Sequence, residues 1–495
     1  MSKNDREAIL LRGYVSPNDT GIMGQTDSES IQNAVDTALA LDIGKVVIPK
    51  YNRRIDAMGW EISKTILLDS NIRLVLDDCY LRMADGVYEN FFRTANVFTP
   101  TGPRLERELT NIHIQGIGSP VLDGGNPNGL DEGNHTKNGR PHVGVNSPIL
   151  FFNVRYFSVS NITIRDQRYW GMRFAYCKCG RIADIFICAH RDRSNQDGIN
   201  LRNGCNHVVI ENVYAQTGDD TIALSAIDME RKDRFNMVDP NQDSDIHDVV
   251  VRNISGCALI HPLVALRNHN GVRMYNVRIE NIRDTDPLEP WMILCGANDE
   301  KYFHVQFSQI HDSGAKWTKG NFIEYKYGMI RIGDAGYYDT RPAQLGETFG
   351  ITVRNAICTT SERAIVVGCA LRDSNFSNIQ GSAMCRCILG TAPVGIDGGP
   401  GIKLENVLLE KVLLRDSQAE NATVVDFRNQ REGDYVQDLC LRDVHTRNAS
   451  HLLMVSGKAK IYLENIHNEH MTGESLWRQN GAQDSVILRE KEATC

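Results

Sequence analysis

Short strands that alternate between apolar and polar residues recur along most of the chain. Clear examples are "HVVIENV" (207–213), "DVVVRNI" (248–254), "VRMYNVRIENI" (272–282) and "IKLENVLLEKVLL" (402–414). Alternation of this kind places every second side chain on the same face and predicts β-strands. Helical periodicity is nearly absent after residue 50. The pattern therefore predicts an all-β protein.

A repeated tag of a charged residue, an asparagine and an aliphatic residue accompanies these strands. It occurs as "ENV" at 211–213 and 405–407, "RNI" at 252–254, and "ENI" at 280–282 and 464–466. A second series begins with "GMRF" at Gly171, "GINL" at Gly198 and "TIAL" at Thr221, in steps of 27 and 23 residues, and "LVAL" at Leu263 continues it. Repeats of this length predict the coils of a right-handed parallel β-helix, with asparagines stacked in the turns. A propeller would need longer repeats built of antiparallel hairpins.

One segment near the start departs from the strand pattern. Residues 27–41, "DSESIQNAVDTALAL", have apolar residues at helical spacing and a polar cap before them. We expect this helix to cover the open first coil, whose edge would otherwise favour aggregation.

Three parts of the chain follow from these patterns. We expect an N-terminal segment with the capping helix at 1–50, a β-helix at 51–480 and a tail at 481–495. Insertions rich in Gly, Asp, Asn and His near 123–146, 225–245 and 283–347 are expected to wall a cleft.

The composition of the chain argues against nucleic acid as a partner and against a membrane-spanning segment. The chain of 495 residues has a formal charge of -8, which argues against a nucleic-acid binder, and it contains no apolar run of membrane-spanning length. Thirteen scattered cysteines and the absence of a signal-like apolar run near residue 1 predict a cytoplasmic protein. The Cys-x-Cys pairs at 177/179 and 385/387 more often mark buried strand cysteines than zinc ligands, so no metal or cofactor is expected. The sequence does not decide whether the chain forms a homo-oligomer.

Two acidic clusters precede successive strands of the second series. Asp197 lies before "GINL", and Asp219 and Asp220 lie before "TIAL". Alignment of "DGINL" with "DTIAL" predicts that Asp197 and Asp220 lie side by side, about 4.8 Å apart. Asp219 is one residue out of this register, so it joins them only if the chain bends after Gly218. Adjacent carboxylates are costly for stability and useful for acid–base catalysis.

The same alignment extends the cluster to a third coil. With "LRN" at 201–203 matched to "LRN" at 266–268, His261 falls opposite Asp219. Arg267 follows on the same strand, and Arg191 precedes the Asp197 cluster. A histidine and arginines beside carboxylates can orient a sugar hydroxyl or hold a proton. Because turn residues are often Asp and Asn, a purely structural role is the alternative.

The order of these motifs resembles the family-28 glycoside hydrolases, the polygalacturonases and rhamnogalacturonases. "IQGIGSPVLDGG" (114–125), "GRP" (139–141) and "RYWGMRFAYC" (168–177) look like their early landmarks. "NQDG" (195–198) resembles their Asn-x-Asp-Gly motif, and "GDD" (218–220) resembles their paired aspartates. The resemblance covers about 100–285.

This resemblance implies an inverting glycosidase acting on an oligosaccharide. Asp219 would be the general acid, and Asp197 and Asp220 would hold the attacking water. Asn195 belongs to the first motif, and His261 in "IHPL" stands where the family has Gly-His-Gly. The family's Arg-Ile-Lys has its nearest match in "MIRIGDAG", which offers Arg331 and no lysine. An exo-acting enzyme on galacturonide, rhamnoside or related oligosaccharides fits the expected cytoplasmic location.

Two other functions compete with this interpretation. A β-helix lyase or epimerase would abstract an acidic proton with a Lys or Arg base such as Arg267, often with calcium. A non-catalytic carbohydrate-binding β-helix would present aromatic faces to sugars, and Trp170, Trp291 and Trp317 do not form a ladder in the sequence.

Overall fold

A computed structural model describes most of the chain. The described residues are 1–87, 89–98, 102–103, 107–125, 147–167, 169–189, 195–227, 238–258, 262–285, 328–333, 340–391, 402–428 and 433–479. The chain divides into two compact units. The first unit comprises Met1–Gly218, Glu230–Asp243 and Leu288–Ser313, and the second comprises Asp219–Met229, Ser244–Pro287 and Gly314–Cys495.

The first unit begins with two helices and continues as parallel coils. The helices are α1 (Lys3–Arg12) and α2 (Asp27–Ala40). The strands described in this unit are β1 (Lys45–Pro49), β2 (Tyr51–Asn52), β3 (Ala57–Met58), β4 (Trp60–Ile62), β5 (Ile66–Leu68), β6 (Ile72–Asp77), β7 (Tyr80–Met83), β8 (Phe92–Thr94), β9 (Val97–Phe98), β10 (Gly102–Pro103), β11 (Leu109–Ile117), β12 (Val121–Asp123), β13 (Ile149–Phe152), β14 (Val154–Arg165), β15 (Met172–Ala175), β16 (Lys178–Cys188), β17 (Ile199–Arg202) and β18 (Asn206–Thr217).

Parallel ladders connect most of these strands one coil at a time, while β2 pairs with β3 and β9 pairs with β10 in antiparallel fashion. One sheet runs β1-β6-β11-β14-β16-β18, and a second runs β5-β8-β13-β15-β17. A shorter ladder, β4-β7-β12, joins β14. Met172 pairs with Ile199, which confirms the predicted register of "GMRF" with "GINL".

The second unit consists of coils alone in the residues that are described. Its strands are β19 (Ile222–Ile227), β20 (Ile246–Ala258), β21 (Val264–His269), β22 (Met274–Asp284), β23 (Ile330–Ile332), β24 (Thr348–Cys358), β25 (Arg363–Val367), β26 (Leu371–Ala383), β27 (Cys387–Gly390), β28 (Lys403–Ser417), β29 (Thr423–Phe427), β30 (Tyr435–Arg447), β31 (His451–Ser456), β32 (Lys458–Glu469) and β33 (Leu476–Gln479).

Two parallel sheets organise this unit. The even-numbered strands β20 to β32 form one sheet in chain order, and the odd-numbered strands β19 to β33 form the other. Ile222 pairs with Val264, so "LVAL" continues the series that "TIAL" begins, as predicted. Both units are therefore built of the coils of a parallel β-helix, and the predicted fold class is confirmed.

The repeated Asn tag has a conformational cause. Its asparagines adopt left-handed backbone angles, for example φ 57 at Asn253 and Asn281 and φ 54 at Asn378. Asparagine tolerates this region better than most residues. The side chains also bond from coil to coil: Asn281 Nδ2 donates to Asn253 Oδ1 at 2.8 Å, and Asn355 Nδ2 donates to Asn281 Oδ1 at 2.9 Å. The tag thus marks a bend that is stacked in register, as expected.

The predicted capping helix is confirmed as α2, which ends at Ala40. Thr26 and Glu29 form a reciprocal capping box at its start. Its apolar residues Ile31, Ala34 and Val35 are fully buried. Helix α1 was not predicted, because it buries only Ile9 and has almost no apolar face. Neither helix, nor any other in the described part of the chain, is long and apolar enough to cross a membrane.

The start of α2 is fastened by a buried aspartate. Asp27, 1% exposed, accepts hydrogen bonds from Asn52 Nδ2 at 2.7 Å, Arg54 Nε at 2.7 Å and the Glu61 amide at 2.8 Å. This carboxylate therefore ties the capping helix to the first strands of the unit.

Asp27→Ala should lower the free energy of unfolding by about 3 kcal/mol, because buried donors lose a charged acceptor. Urea denaturation measures the loss. Asp36→Ala, at an exposed position of the same helix, is the control and should stay within about 0.5 kcal/mol of the wild type. Equal effects of the two substitutions would contradict the fastening role.

Candidate active site

Asp197 lies in a short irregular segment directly before β17. Asn195, which lies two residues before it, adopts a left-handed conformation with φ 60. The Asp197 side chain is almost wholly buried, at 4% exposure, and its Oδ2 accepts a hydrogen bond from Asn200 Nδ2 at 3.1 Å. The carboxylate therefore has a fixed orientation within the first unit.

Asp219 and Asp220 lie directly before β19. The chain bends at Gly218 and Asp219, as the sequence required for Asp219 to leave the regular register. Asp220 is 1% exposed and Asp219 is half-buried. The Asp220 amide donates to Asp219 Oδ1 at 2.9 Å. One carboxylate is thus held inside the protein while its neighbour stays accessible.

Arg267 on β21 pairs with Asp220 through the two terminal nitrogens of its guanidinium, Nη1 and Nη2. Its Nη2 donates to Asp220 Oδ1 at 3.1 Å, and its Nη1 contacts Oδ2. The pair is buried, with Arg267 at 8% exposure. A two-pronged contact of this kind is a strong, directional arrangement of arginine and carboxylate. The positive charge also opposes binding of a cation at Asp220.

A backbone hydrogen bond within the first unit holds the peptide before Asp197. The Gly218 amide, at the end of this unit, donates to the Gln196 carbonyl at 3.2 Å. The Gln196 carbonyl belongs to the peptide that leads into Asp197, and the Gly218 amide belongs to the peptide between Thr217 and Gly218. The bond therefore fixes the backbone directly before Asp197.

Arg331, another predicted residue, lies on β23. Ala265 of β21 pairs with Arg331, and Ala265 and Arg267 are two residues apart, so both arginines belong to the same face of their sheet. Arg331 is 2% exposed, and its Nε donates to the Gly333 carbonyl at 3.1 Å. Arg191 and His261 lie outside the described residues, so their predicted roles stay predictions.

The glycine of "RIG", two residues after Arg331, is required by local packing. Gly333 has φ 76, and a Cβ added there would lie 2.1 Å from Cys369 Sγ. No side chain fits at this position without moving the backbone.

Two residues beside Asp197 were missed by the sequence interpretation. Asn200 bonds its carboxylate, and Gln167 Nε2 donates to its backbone carbonyl at 3.2 Å. Asn200 is three residues after Asp197 in "DGINL", so that motif held a usable signal. Gln167 lies one coil earlier and carries no motif.

The aspartate of "VLDGG" is an internal anchor. Asp123, 1% exposed, accepts hydrogen bonds from Arg165 Nε and from the Gly125 amide, both at 2.7 Å. Asp166 lies in the same buried group. Burial raises the pKa of the Asp166 carboxyl, and the nearby charge of Asp123 raises this pKa further. Arg165 Nε also lies 3.9 Å from Asp166 Oδ2, so one guanidinium lies beside both carboxyl groups.

Comparison with solved structures shows the class of fold. The exopolygalacturonase of Thermotoga maritima is 14% identical, with a TM-score of 0.50, covering 94% of this chain and 96% of its own. The surface protein and adhesin PfbA of Streptococcus pneumoniae is 12% identical (TM-score 0.54; 96% and 100% covered). A mutant of the tailspike protein of E. coli bacteriophage HK620 is 12% identical (TM-score 0.57; 98% and 81% covered). At these identities the likeness is one of fold.

A family model gives the more specific result. Residues 93–233 match the model of the glycosyl hydrolases family 28. This range contains Asp197, Asp219 and Asp220, so the resemblance seen in the motifs is confirmed over this segment, and it supports a glycosidase. Comparison with curated proteins gives no match.

Arg267→Met should lower the free energy of unfolding by about 3–5 kcal/mol, because Asp220 becomes a buried charge without its counterion. Adding Asp220→Asn should recover part of the loss. Arg447→Met is the control, since Arg447 and Asp416 form an ion pair with both side chains about half exposed, and it should cost less than about 1 kcal/mol. A loss at Arg267 no larger than this control would contradict the role of the pair.

The free energy of unfolding of Asp166→Asn, relative to that of the wild type, should increase as the pH rises. When the pKa of a carboxyl is higher in the folded protein than its unfolded value of about 3.9, the protein loses stability as the pH rises through the interval between the two pKa values. Asparagine removes that loss. Urea midpoints at about pH 4 and about pH 7 measure the difference. Asp184→Asn, at an exposed position, is the control, and a difference independent of pH would contradict the prediction.

Proposed function

We propose that this protein is an inverting glycoside hydrolase in which Asp197, Asp219 and Asp220 form the catalytic group. The observation that carries the proposal is the family-28 match over 93–233, which includes both acidic segments. The hydrogen bond from the Gly218 amide to the Gln196 carbonyl supports it, because this bond fixes the backbone directly before Asp197.

Asp219 is assigned the role of general acid. It is the most exposed of the three carboxyl groups, so it is the one that a glycosidic oxygen can approach from solvent. Proton transfer from a positioned carboxyl to the leaving oxygen contributes about a hundredfold or more to the rate.

Asp197 and Asp220 are assigned the role of holding the attacking water. Arg267 offsets the charge of Asp220, which reduces the repulsion expected among three neighbouring carboxylates. Asn200 fixes the direction of Asp197. Inversion requires the acid and the base to be about 6.5–9.5 Å apart, with the water between them.

The proposed substrate is an oligosaccharide with a galacturonide, rhamnoside or related linkage, attacked from one end. The fold shared with the exopolygalacturonase of Thermotoga maritima motivates exo action. Arg331 is assigned a contact with a sugar carboxylate or hydroxyl. Asn195, Arg191 and His261 are proposed further contacts with the substrate.

A cytoplasmic location is also proposed, on the strength of the thirteen cysteines. Cell fractionation tests it, and recovery of the protein from the culture medium or the periplasm would contradict it.

Asp219→Asn should lose at least about a hundredfold in kcat, because the amide cannot protonate the leaving oxygen. The assay uses a panel of uronate, rhamnose and neutral oligosaccharides, with the anomeric configuration of the product followed by NMR. The wild type should release a single sugar with inverted configuration. Asp184→Asn is the matched control and should retain full activity.

Three outcomes would overturn the proposal. An unsaturated product and a need for calcium would move the protein to the lyases. Retained activity in Asp219→Asn would remove the assigned acid. Sugar binding without turnover on any member of the panel would favour the non-catalytic carbohydrate-binding alternative.

A further inference from the structure

A buried glutamine one coil before Asp197 holds the backbone of that residue. Gln167 is fully buried, and its Nε2 donates to the Asp197 carbonyl at 3.2 Å. The Gly171 amide donates to the same carbonyl at 2.9 Å. The peptide that follows Asp197 is therefore held by two donors from the preceding coil.

A second glutamine returns the contact. Gln196, 3% exposed, donates from its Nε2 to the Gln167 carbonyl at 2.8 Å. In both side chains only the NH₂ end can donate to a carbonyl, so both amides have a determined orientation. Gln167 and Gln196 thus form a reciprocal clamp across two coils, on both sides of the Asp197 peptide.

The clamp is unfavourable for stability in one respect. Among the residues that the structure describes, no donor reaches the Oε1 atoms of Gln167 and Gln196, although both atoms are buried. A buried acceptor without a donor costs about 1–3 kcal/mol. A buried polar residue that keeps such a cost beside a reactive group is expected to serve that group rather than the fold.

Asp197 needs support of this kind because of where it lies. It is outside the regular ladder, between the left-handed Asn195 and the first residue of β17. The coils approach so closely here that a Cβ on Gly171 would lie 2.8 Å from the Gly198 carbonyl oxygen. A shift of about 1 Å in a reacting group can cost about a hundredfold in rate.

We propose that Gln167 is a positioning residue for Asp197. Its side-chain amide donates to the Asp197 carbonyl and so fixes the backbone of Asp197. The backbone in turn determines the position of the carboxylate relative to the attacking water. This inference rests on the proposed function, since it assigns Asp197 a part in the reaction.

The test compares Gln167→Met and Gln167→Glu with the wild type. Gln167→Met keeps the volume, removes the donor to Asp197 and removes the unsatisfied oxygen. Its kcat should fall about tenfold, KM should change little, and its melting temperature should stay equal or rise. Gln32→Met is the control, because Gln32 Nε2 also donates to a backbone carbonyl, that of Leu67 at 3.3 Å, in the capping region. Its kcat should be unchanged.

Gln167→Glu adds a readout, the pH dependence of kcat, that would not change if Gln167 had only a structural role. A protonated glutamic acid can donate to the Asp197 carbonyl, whereas the ionised form cannot and places a charge near Asp166 and Asp197. The kcat of Gln167→Glu relative to the wild type should therefore fall as the pH rises, while that of Gln167→Met relative to the wild type should be flat.

The outcomes separate this inference from the function on which it rests. No turnover by the wild type would overturn both. Wild-type turnover with an unchanged kcat in Gln167→Met would overturn the positioning role and leave the proposed hydrolysis intact. A kcat that falls only in proportion to a loss of folded protein would assign Gln167 to the fold and overturn the inference as well.

Discussion

The hydrogen bonds between each strand and the strand one coil further along hold residues of equal register about 4.8 Å apart. This spacing governs the turns as well as the strands. Asn253, Asn281 and Asn355 bond side chain to side chain at 2.8 and 2.9 Å, and each of them adopts the left-handed conformation that the bend requires. A coil cannot shift along its axis without breaking the ladder and the asparagine stack together. The side chains at the starts of the strands are therefore held in fixed positions.

That rigidity has an electrostatic consequence. A buried carboxyl in a rigid coil is either paired with a neighbouring positive charge or has its pKa raised by burial. Both cases occur. Arg267 pairs with Asp220 and Arg165 pairs with Asp123, each through a buried guanidinium. Asp166 takes the other course, since burial raises the pKa of its carboxyl. Buried ion pairs add little net stability, because the cost of removing both charges from water offsets their attraction.

The features that depend on periodicity could be predicted from the sequence. The register of "GMRF" with "GINL" and of "TIAL" with "LVAL" follows from spacing alone, and helix α2 follows from its cap and apolar face. Helix α1 could not be predicted, because it buries only Ile9. Asp197 and Asp220 were found because "DGINL" and "DTIAL" carry an aspartate at the same position of the sequence repeat. Gln167 was not, because its contact with Asp197 joins two coils through a side-chain amide and leaves no trace in the spacing.

Local packing limits which side chains the ends of the strands can carry. Asp220 lies directly before β19, where Arg267 holds its side chain. Gly333 lies directly after β23, has φ 76, and a Cβ there would lie 2.1 Å from Cys369 Sγ, so no side chain fits at this position. Arg331 precedes it on a regular strand and keeps its place. Packing against Cys369 therefore leaves Arg331 as the charged side chain of β23 and keeps position 333 free of any side chain. The coil thus fixes the residues of the strand through the ladder and the residue after the strand through steric contact, which are two separate constraints on the same segment.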